Sequence, residues 1–223
     1  MEWELSKTVL LILSALFPIV DPLGGAPIFL ALTRDNTASE RRTLSWRISI
    51  NSFFLIMGSY LIGTHVLAFF GISIPVVQVG GGLVVAATGW TMLNRPADDE
   101  EDRAQTHREM KTKDPLRHAF YPLTLPLTVG PGSISVAITL GANVPHPQGI
   151  RVLAIIAALI GAALISVSIF LCYGFADRLA RVLGKSGMTV IMQLSSFLLV
   201  CIGVQIFWNG ASALLTSVLE APH

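Results

Sequence analysis

Phe17-Pro18-Ile19-Val20-Asp21-Pro22-Leu23-Gly24-Gly25-Ala26-Pro27 interrupts the first long apolar run of the chain with three prolines, two glycines and a carboxylate. A proline lacks an amide donor and clashes with the preceding helical turn, so this density of prolines disfavours a continuous helix. Inside a bilayer, irregular backbone is tolerated only where protein buries it or water reaches it. We therefore expect a broken transmembrane span with a sheltered polar site.

The same proline pattern returns 104 positions later, in the stretch Tyr121-Pro122-Leu123-Thr124-Leu125-Pro126-Leu127-Thr128-Val129-Gly130-Pro131. The prolines of the two stretches fall in register, as Pro18 with Pro122, Pro22 with Pro126 and Pro27 with Pro131. Broken spans at matching positions of two halves are typical of transporters built from repeats, and they mark the binding site.

The composition indicates a membrane protein. Of 223 residues, 52% are hydrophobic and only 13% are charged, whereas soluble domains are about a quarter charged. The net charge of +1 and the lack of a basic arm disfavour a nucleic-acid partner. Both cysteines, Cys172 and Cys201, lie in apolar runs and are interpreted as packing residues. We expect no cofactor and no metal site, and we interpret the first apolar run as a mature span.

Six apolar runs reach the length of about 20 residues that a bilayer requires. They cover roughly 8–32, 48–70, 74–93, 118–141, 152–175 and 188–216. The predicted fold is therefore an all-α membrane protein with six transmembrane helices. Its predicted units are a three-span repeat at 1–93, a linker loop at 94–117 and a second three-span repeat at 118–223. Because each half has an odd number of spans, the repeat is expected to be inverted, with the first and fourth spans broken.

Lysine and arginine are distributed unevenly between the two sides of this topology. The first, third and fifth loops hold thirteen of these residues, whereas the other side holds only Lys7 and Arg151. The positive-inside rule places the thirteen in the cytoplasm. We therefore expect a cytoplasmic linker and two periplasmic termini.

Asp21 is the one acid in the interior of a predicted span, and two interpretations remain open for it. An ionisable group at this depth is by default a functional hypothesis, here a ligand for a coupling ion or a substrate amine. Alternatively, its carboxylate caps the broken helix by accepting hydrogen bonds from N–H groups near Gly24 and Gly25. Its counterpart in the second stretch, Leu125, is apolar, so the charge is asymmetric.

Pro27 and Pro131 suit the first position of a new half-helix, where the missing N–H costs nothing. Such N-termini carry a partial positive charge and receive carboxylates. Hydroxyls near the second break, including Ser135, add further polar groups, while simple kinking for packing is the alternative. The candidate substrate- or ion-binding residues are Asp21, Gly24, Gly25, Pro27, Thr124, Thr128, Gly130, Pro131, Gly132 and Ser133.

Small residues in the third predicted span indicate close helix packing. Gly80, Gly81, Gly82, Ala86 and Gly89 lie within ten positions. Small side chains let two helix backbones approach closely inside a membrane. We expect this group to form one packing face.

The two proline motifs, Asp21-Pro22-Leu23-Gly24-Gly25-Ala26-Pro27 and the segment 122–132, resemble those of the bacterial MarC family of integral membrane proteins. The resemblance extends over nearly the whole chain, including its length, its six spans and the long loop after the third. It implies a multi-pass protein of the bacterial inner membrane. Members similar to this chain are described as neutral amino acid transporters, and the wider group includes exporters.

The predicted function is secondary transport of small neutral amino acids such as glycine or alanine, coupled to H⁺ or Na⁺. The expected partners are the lipid bilayer, the substrate and the coupling ion. Export of another small metabolite, or a non-transporting membrane role, remains the alternative. An enzyme is disfavoured because no span carries a second acid, a workable serine–histidine pair or a metal-binding set. The chain has no nucleotide-binding motif, so we expect no use of ATP.

Overall fold

The computed structural model describes residues 2–94, 119–144 and 148–219, and within these ranges the regular secondary structure is entirely helical. The helices are α1 (Glu2–Val20), α2 (Pro22–Leu32), α3 (Ala38–Phe69), α4 (Ile74–Leu93), α5 (Ala119–Thr128), α6 (Pro131–Ala142), α7 (Gln148–Gly174) and α8 (Ala176–Leu219). The predicted linker at 94–117 lies outside the described residues, apart from Asn94 at the end of α4.

Six candidate membrane spans emerge when a bent helix pair is counted as one. Five are long and apolar without a sharp bend, at Trp3–Leu32, Ala38–Phe69, Ile74–Leu93, Arg151–Gly174 and Ser186–Leu219. The sixth is formed by α5 and α6, which meet at 70°. The all-helical membrane architecture is therefore confirmed. The fourth span is the one with the sharp break.

The second helical span begins ten residues earlier than the hydropathy predicts. Thr37 caps α3 by accepting a hydrogen bond from the Glu40 amide, and the Glu40 carboxylate accepts one from the Thr37 amide. This capping box satisfies amides that the first helical turn leaves without partners. The cap, rather than the apolar run, determines where α3 starts.

The first span breaks at Asp21. This residue adopts a left-handed conformation (φ 43°, ψ 64°), and Pro22 occupies the first position of α2. Aspartate adopts the left-handed conformation more readily than most residues, because its short polar side chain can form local hydrogen bonds. Pro27 lies inside α2, so the prediction that it starts the half-helix is wrong. Helix α2 begins five residues earlier, at Pro22, where Asp21 supplies a cap.

The second stretch is more irregular. Tyr121 and Leu125 have extended backbone conformations inside α5, and each precedes a proline, which disfavours the helical conformation of the preceding residue. Pro131 occupies the first position of α6 after the extended Gly130, as predicted. Leu125, the register counterpart of Asp21, is thus also a non-helical residue.

Glycines allow α4 and α8 to pack with their backbones in contact. A Cβ added to Gly82 would collide with the Phe207 amide and the Gly203 carbonyl, and one added to Gly203 would collide with the Ala86 amide. Gly89 has a similar contact with α8. These contacts confirm the predicted packing face for part of the group. Gly80 faces open space, so its inclusion was wrong; it lies on a different side of the helix.

An ion pair connects the start of α3 to the start of α8. The Arg41 guanidinium donates to the Asp177 carboxylate at 2.8 Å and to the Thr33 and Asn36 carbonyls at 3.1 and 2.9 Å. The Arg41 side chain is only 14% exposed. Thr33 is the C-cap of α2. Arg41 therefore connects the end of this half-helix, through a hydrogen bond, to α8, through the ion pair.

We expect Arg41→Gln to destabilise the protein by about 2 kcal/mol, since hydrogen bonds to charged groups contribute about 1.5–3 kcal/mol. The change in melting temperature is measured in detergent, as the temperature at which half of the protein is no longer monodisperse. Arg42→Gln is the matched control because Arg42 is the exposed neighbour. Equal melting temperatures for the two variants would contradict a stabilising role for Arg41.

Candidate functional site

A cavity of about 430 Å³ lies between the two broken spans. Residues from the first break, from the second break, from α4 and from α8 line it. Seven of the ten candidate binding residues are among them: Asp21, Gly25, Thr128, Gly130, Pro131, Gly132 and Ser133. The other three, Gly24, Pro27 and Thr124, do not line this cavity. The two breaks, 104 positions apart in sequence, therefore meet at one place.

The two carboxylate oxygens of Asp21 have different environments. Oδ1 accepts a hydrogen bond from the Gly24 amide at 3.0 Å and caps α2. Oδ2 is buried and has no hydrogen-bond partner, although the Ser195 hydroxyl of α8 lies beside the same carboxyl group. The predicted capping role is thus confirmed and uses one oxygen. A buried polar atom without a partner costs about 1–3 kcal/mol, so a hydrogen bond from the neighbouring Ser195 hydroxyl or from a bound ligand would stabilise Oδ2.

Helix α6 presents an uncapped N-terminus at the same cavity. Its N-cap residue, Gly130, has no side chain to accept hydrogen bonds. The first intrahelical bond of α6 runs from the Ile134 amide to the Gly130 carbonyl. The amides of Gly132 and Ser133 precede that bond, so they have no acceptor within the helix. Together with the helix dipole, they make this end suitable for an anionic group.

Two threonine hydroxyls near the second break bond to backbone carbonyls. Thr124 Oγ1 donates to the Ala119 carbonyl at 2.6 Å, and Thr128 Oγ1 donates to the Leu123 carbonyl at 2.7 Å. Asn51 of α3 donates to Thr124 Oγ1 at 3.4 Å. These bonds support the irregular turns of α5. Thr124 is fully buried and acts on the backbone, whereas Thr128 also reaches the cavity.

Two residues that the sequence analysis missed contact the site from other helices. Tyr173 of α7 places its hydroxyl 3.1 Å from Thr128 Oγ1 and stacks its ring on Phe29 of α2. Ser195 of α8 lies beside Asp21. Both occur in long apolar runs far from the proline motifs, and no spacing pattern in the sequence links them to either break.

Asp21 is the one ionisable side chain among the residues that line the cavity. Within the described ranges there is no group of three or more histidine, cysteine, aspartate or glutamate side chains arranged to hold a metal. The site thus combines one carboxylate, one helix N-terminus and apolar walls. This combination complements a small molecule that carries both charges.

The chain is similar to named bacterial membrane proteins. It is 33% identical over 213 residues to the "UPF0056 inner membrane protein MarC" of Salmonella typhimurium. It is 34% identical over 211 residues to the proteins of the same name from Citrobacter koseri and Escherichia coli. Each alignment covers 93% of this chain and 95% of the relative. No solved structure matches the chain.

A family profile gives the same assignment as these relatives, and its match covers more than nine-tenths of the chain. The profile described as "MarC family integral membrane protein" matches residues 6–215, which include both broken spans and both halves of the structure. The chain is a multi-pass inner-membrane protein, because it has several candidate membrane spans and its relatives are named as inner-membrane proteins. It belongs to the MarC family of integral membrane proteins.

Proposed function

We propose that this protein is a secondary transporter of small neutral amino acids such as glycine and alanine. One observation carries the proposal: Asp21, which has a carboxylate side chain, and the first residues of the uncapped α6 N-terminus line the same cavity. A zwitterion matches both groups. Its ammonium would pair with Asp21, and its carboxylate would accept hydrogen bonds from the Gly132 and Ser133 amides.

The size and walls of the cavity favour a small, neutral side chain. Its volume of about 430 Å³ lies near the lower end of the range for small-molecule sites, about 300–1,000 Å³. Ile28, Val85 and Leu199 supply apolar wall surface. A charged side chain would have to be buried there without a partner, at a large cost in free energy.

The charge balance supports a coupling ion. Asp21 with a bound zwitterion leaves one net negative charge inside the membrane, which is costly unless it is neutralised. A co-transported H⁺ or Na⁺ removes that charge. We assign the ion or proton to the buried Oδ2 of Asp21, beside the Ser195 hydroxyl, so that it shares the carboxyl group with the substrate ammonium.

The helix pairing supports an inverted repeat of α1–α4 and α5–α8. The half-helix α2 packs on α8, and its counterpart α6 packs on α4. The proposed equivalents α3 and α7 pack on each other, as do α4 and α8. A twofold axis between the halves would convert the α2–α8 contact into the α6–α4 contact. It would leave the α3–α7 and α4–α8 contacts unchanged. Rocking of one half against the other would then expose the site alternately to the two sides.

Uptake by purified protein in liposomes tests the proposal. We expect accumulation of labelled glycine or alanine when an inward H⁺ or Na⁺ gradient is imposed, and competition by excess unlabelled alanine. Empty liposomes provide the control. Uptake no greater than that of empty liposomes under both gradients would contradict the transport proposal.

The proposed orientation has both termini in the periplasm, because thirteen of fifteen basic residues lie between apolar runs on the opposite side and such segments stay cytoplasmic. We expect a periplasm-dependent reporter fused after His223 to be active and a cytoplasm-dependent reporter to be inactive. The same reporters fused within the 94–117 loop should show the reverse pattern. A C-terminal fusion active only in the cytoplasm would invert the topology.

A further inference from the structure

Tyr173 contacts both broken spans from behind the cavity wall. The side chain is 1% exposed and does not line the cavity. Its neighbours Gly25 and Thr128, one from each break, do line it. Tyr173 therefore touches the two segments that form the candidate site without being able to contact a ligand itself.

The hydrogen bond to the second break has a defined direction. Thr128 has a single hydroxyl proton, and it is donated to the Leu123 carbonyl at 2.7 Å. Thr128 Oγ1 must then accept in its 3.1 Å contact with the Tyr173 hydroxyl. Tyr173 donates to Thr128, and Thr128 donates to Leu123. This chain of two bonds fixes the turn that precedes Gly130 and α6.

The contact with the first break depends on shape. The Tyr173 ring stacks on Phe29 with 4.7 Å between centroids and 10° between planes. A Cβ added to Gly25 would collide with the Tyr173 hydroxyl oxygen. Any residue larger than glycine at position 25 would therefore push the first turn of α2 away from α7 or displace the tyrosine.

We propose that Tyr173 is a positioning residue that sets the two breaks at the separation required for substrate binding. This inference deepens and rests on the proposed amino acid transport. The ring places the first turn of α2, and the hydroxyl places Thr128 and the start of α6. The α7 side chain thereby holds the ammonium-binding and carboxylate-binding groups at the spacing of one small zwitterion.

Tyr173→Phe keeps the stack on Phe29 and removes the hydroxyl, which donates to Thr128 and lies beside Gly25. We expect the KM for glycine uptake to rise about tenfold, while kcat stays within about twofold of the wild-type value. The reason is that one hydrogen bond that positions the binding groups is lost. A merely structural role would lower the amount of folded protein without this split between KM and kcat.

Tyr60→Phe is the matched control. Tyr60 is a buried tyrosine on α3 whose hydroxyl donates to the Ala154 carbonyl at 3.4 Å, and it does not line the cavity. We expect its KM to equal that of the wild type. An unchanged KM for Tyr173→Phe, or an equal rise for Tyr60→Phe, would overturn the inference while leaving the transport proposal intact. Absence of glycine uptake by the wild type would overturn both.

A double-mutant cycle provides a second test. Thr128→Val removes the acceptor, so adding Tyr173→Phe to it should raise KM no further than Thr128→Val alone. Thr128→Ser keeps the hydroxyl and should remain sensitive to Tyr173→Phe. Independent, multiplicative effects of Tyr173→Phe and Thr128→Val would show that the two residues do not act through their bond and would overturn the inference.

Discussion

Asp21→Asn is expected to lower glycine or alanine uptake by about 100-fold or more while the protein still folds and inserts. Asparagine keeps an oxygen that can accept from the Gly24 amide, so the cap of α2 survives. It loses the negative charge at the buried oxygen that has no partner. Truncating one member of a buried charge pair costs about 2–5 kcal/mol. Initial uptake rates in liposomes, normalised to inserted protein, measure the effect.

The comparison with Asp21→Ala separates binding from capping. Alanine removes the cap as well as the charge, so its melting temperature should fall below that of Asp21→Asn, which should stay near the wild type. Wild-type uptake by Asp21→Asn, with unchanged dependence on the H⁺ and Na⁺ gradients, would remove Asp21 from the mechanism and leave it only as a cap.

Gly82→Ala is expected to destabilise the protein by about 1–3 kcal/mol because it overpacks the α4–α8 contact. The added Cβ would meet backbone atoms of Phe207 and Gly203, which cannot move aside as a flexible side chain can. A drop of about 2–12 °C in melting temperature is the expected result.

Gly80→Ala is the matched control for this prediction. Gly80 is two residues away on the same helix, is exposed, and has open space where a Cβ would lie. It should keep the wild-type melting temperature or gain slightly, since alanine is the better helix former. Equal losses for the two variants would show that the effect does not come from the α4–α8 contact, since Gly80 has open space where a Cβ would lie.

The locations of the breaks followed from the sequence because proline acts locally. Both stretches contain non-helical residues, and both line one cavity. The start of α2 was misplaced because Pro27 by itself resembles a first helical residue. The structure starts the helix at Pro22, where the Asp21 carboxylate caps the Gly24 amide. A cap and a proline together therefore outweigh a proline without a cap.

Other parts of the site depend on tertiary contacts that no local pattern encodes. Tyr173 and Ser195 reach the cavity region from α7 and α8, more than 150 residues after Asp21. Similarly, Gly80 and Gly82 are equivalent in the sequence pattern, and only the arrangement of α8 distinguishes the packed glycine from the open one. Composition predicts that such faces exist but does not assign their partners.

A structure of the purified protein in a lipid nanodisc with saturating alanine tests the central claim most directly. The account predicts ligand density in the cavity between the breaks, with the ammonium at Asp21 and the carboxylate at the Gly132 and Ser133 amides. Alanine bound elsewhere, or a cavity that stays filled by a lipid chain at saturating alanine, would contradict the account.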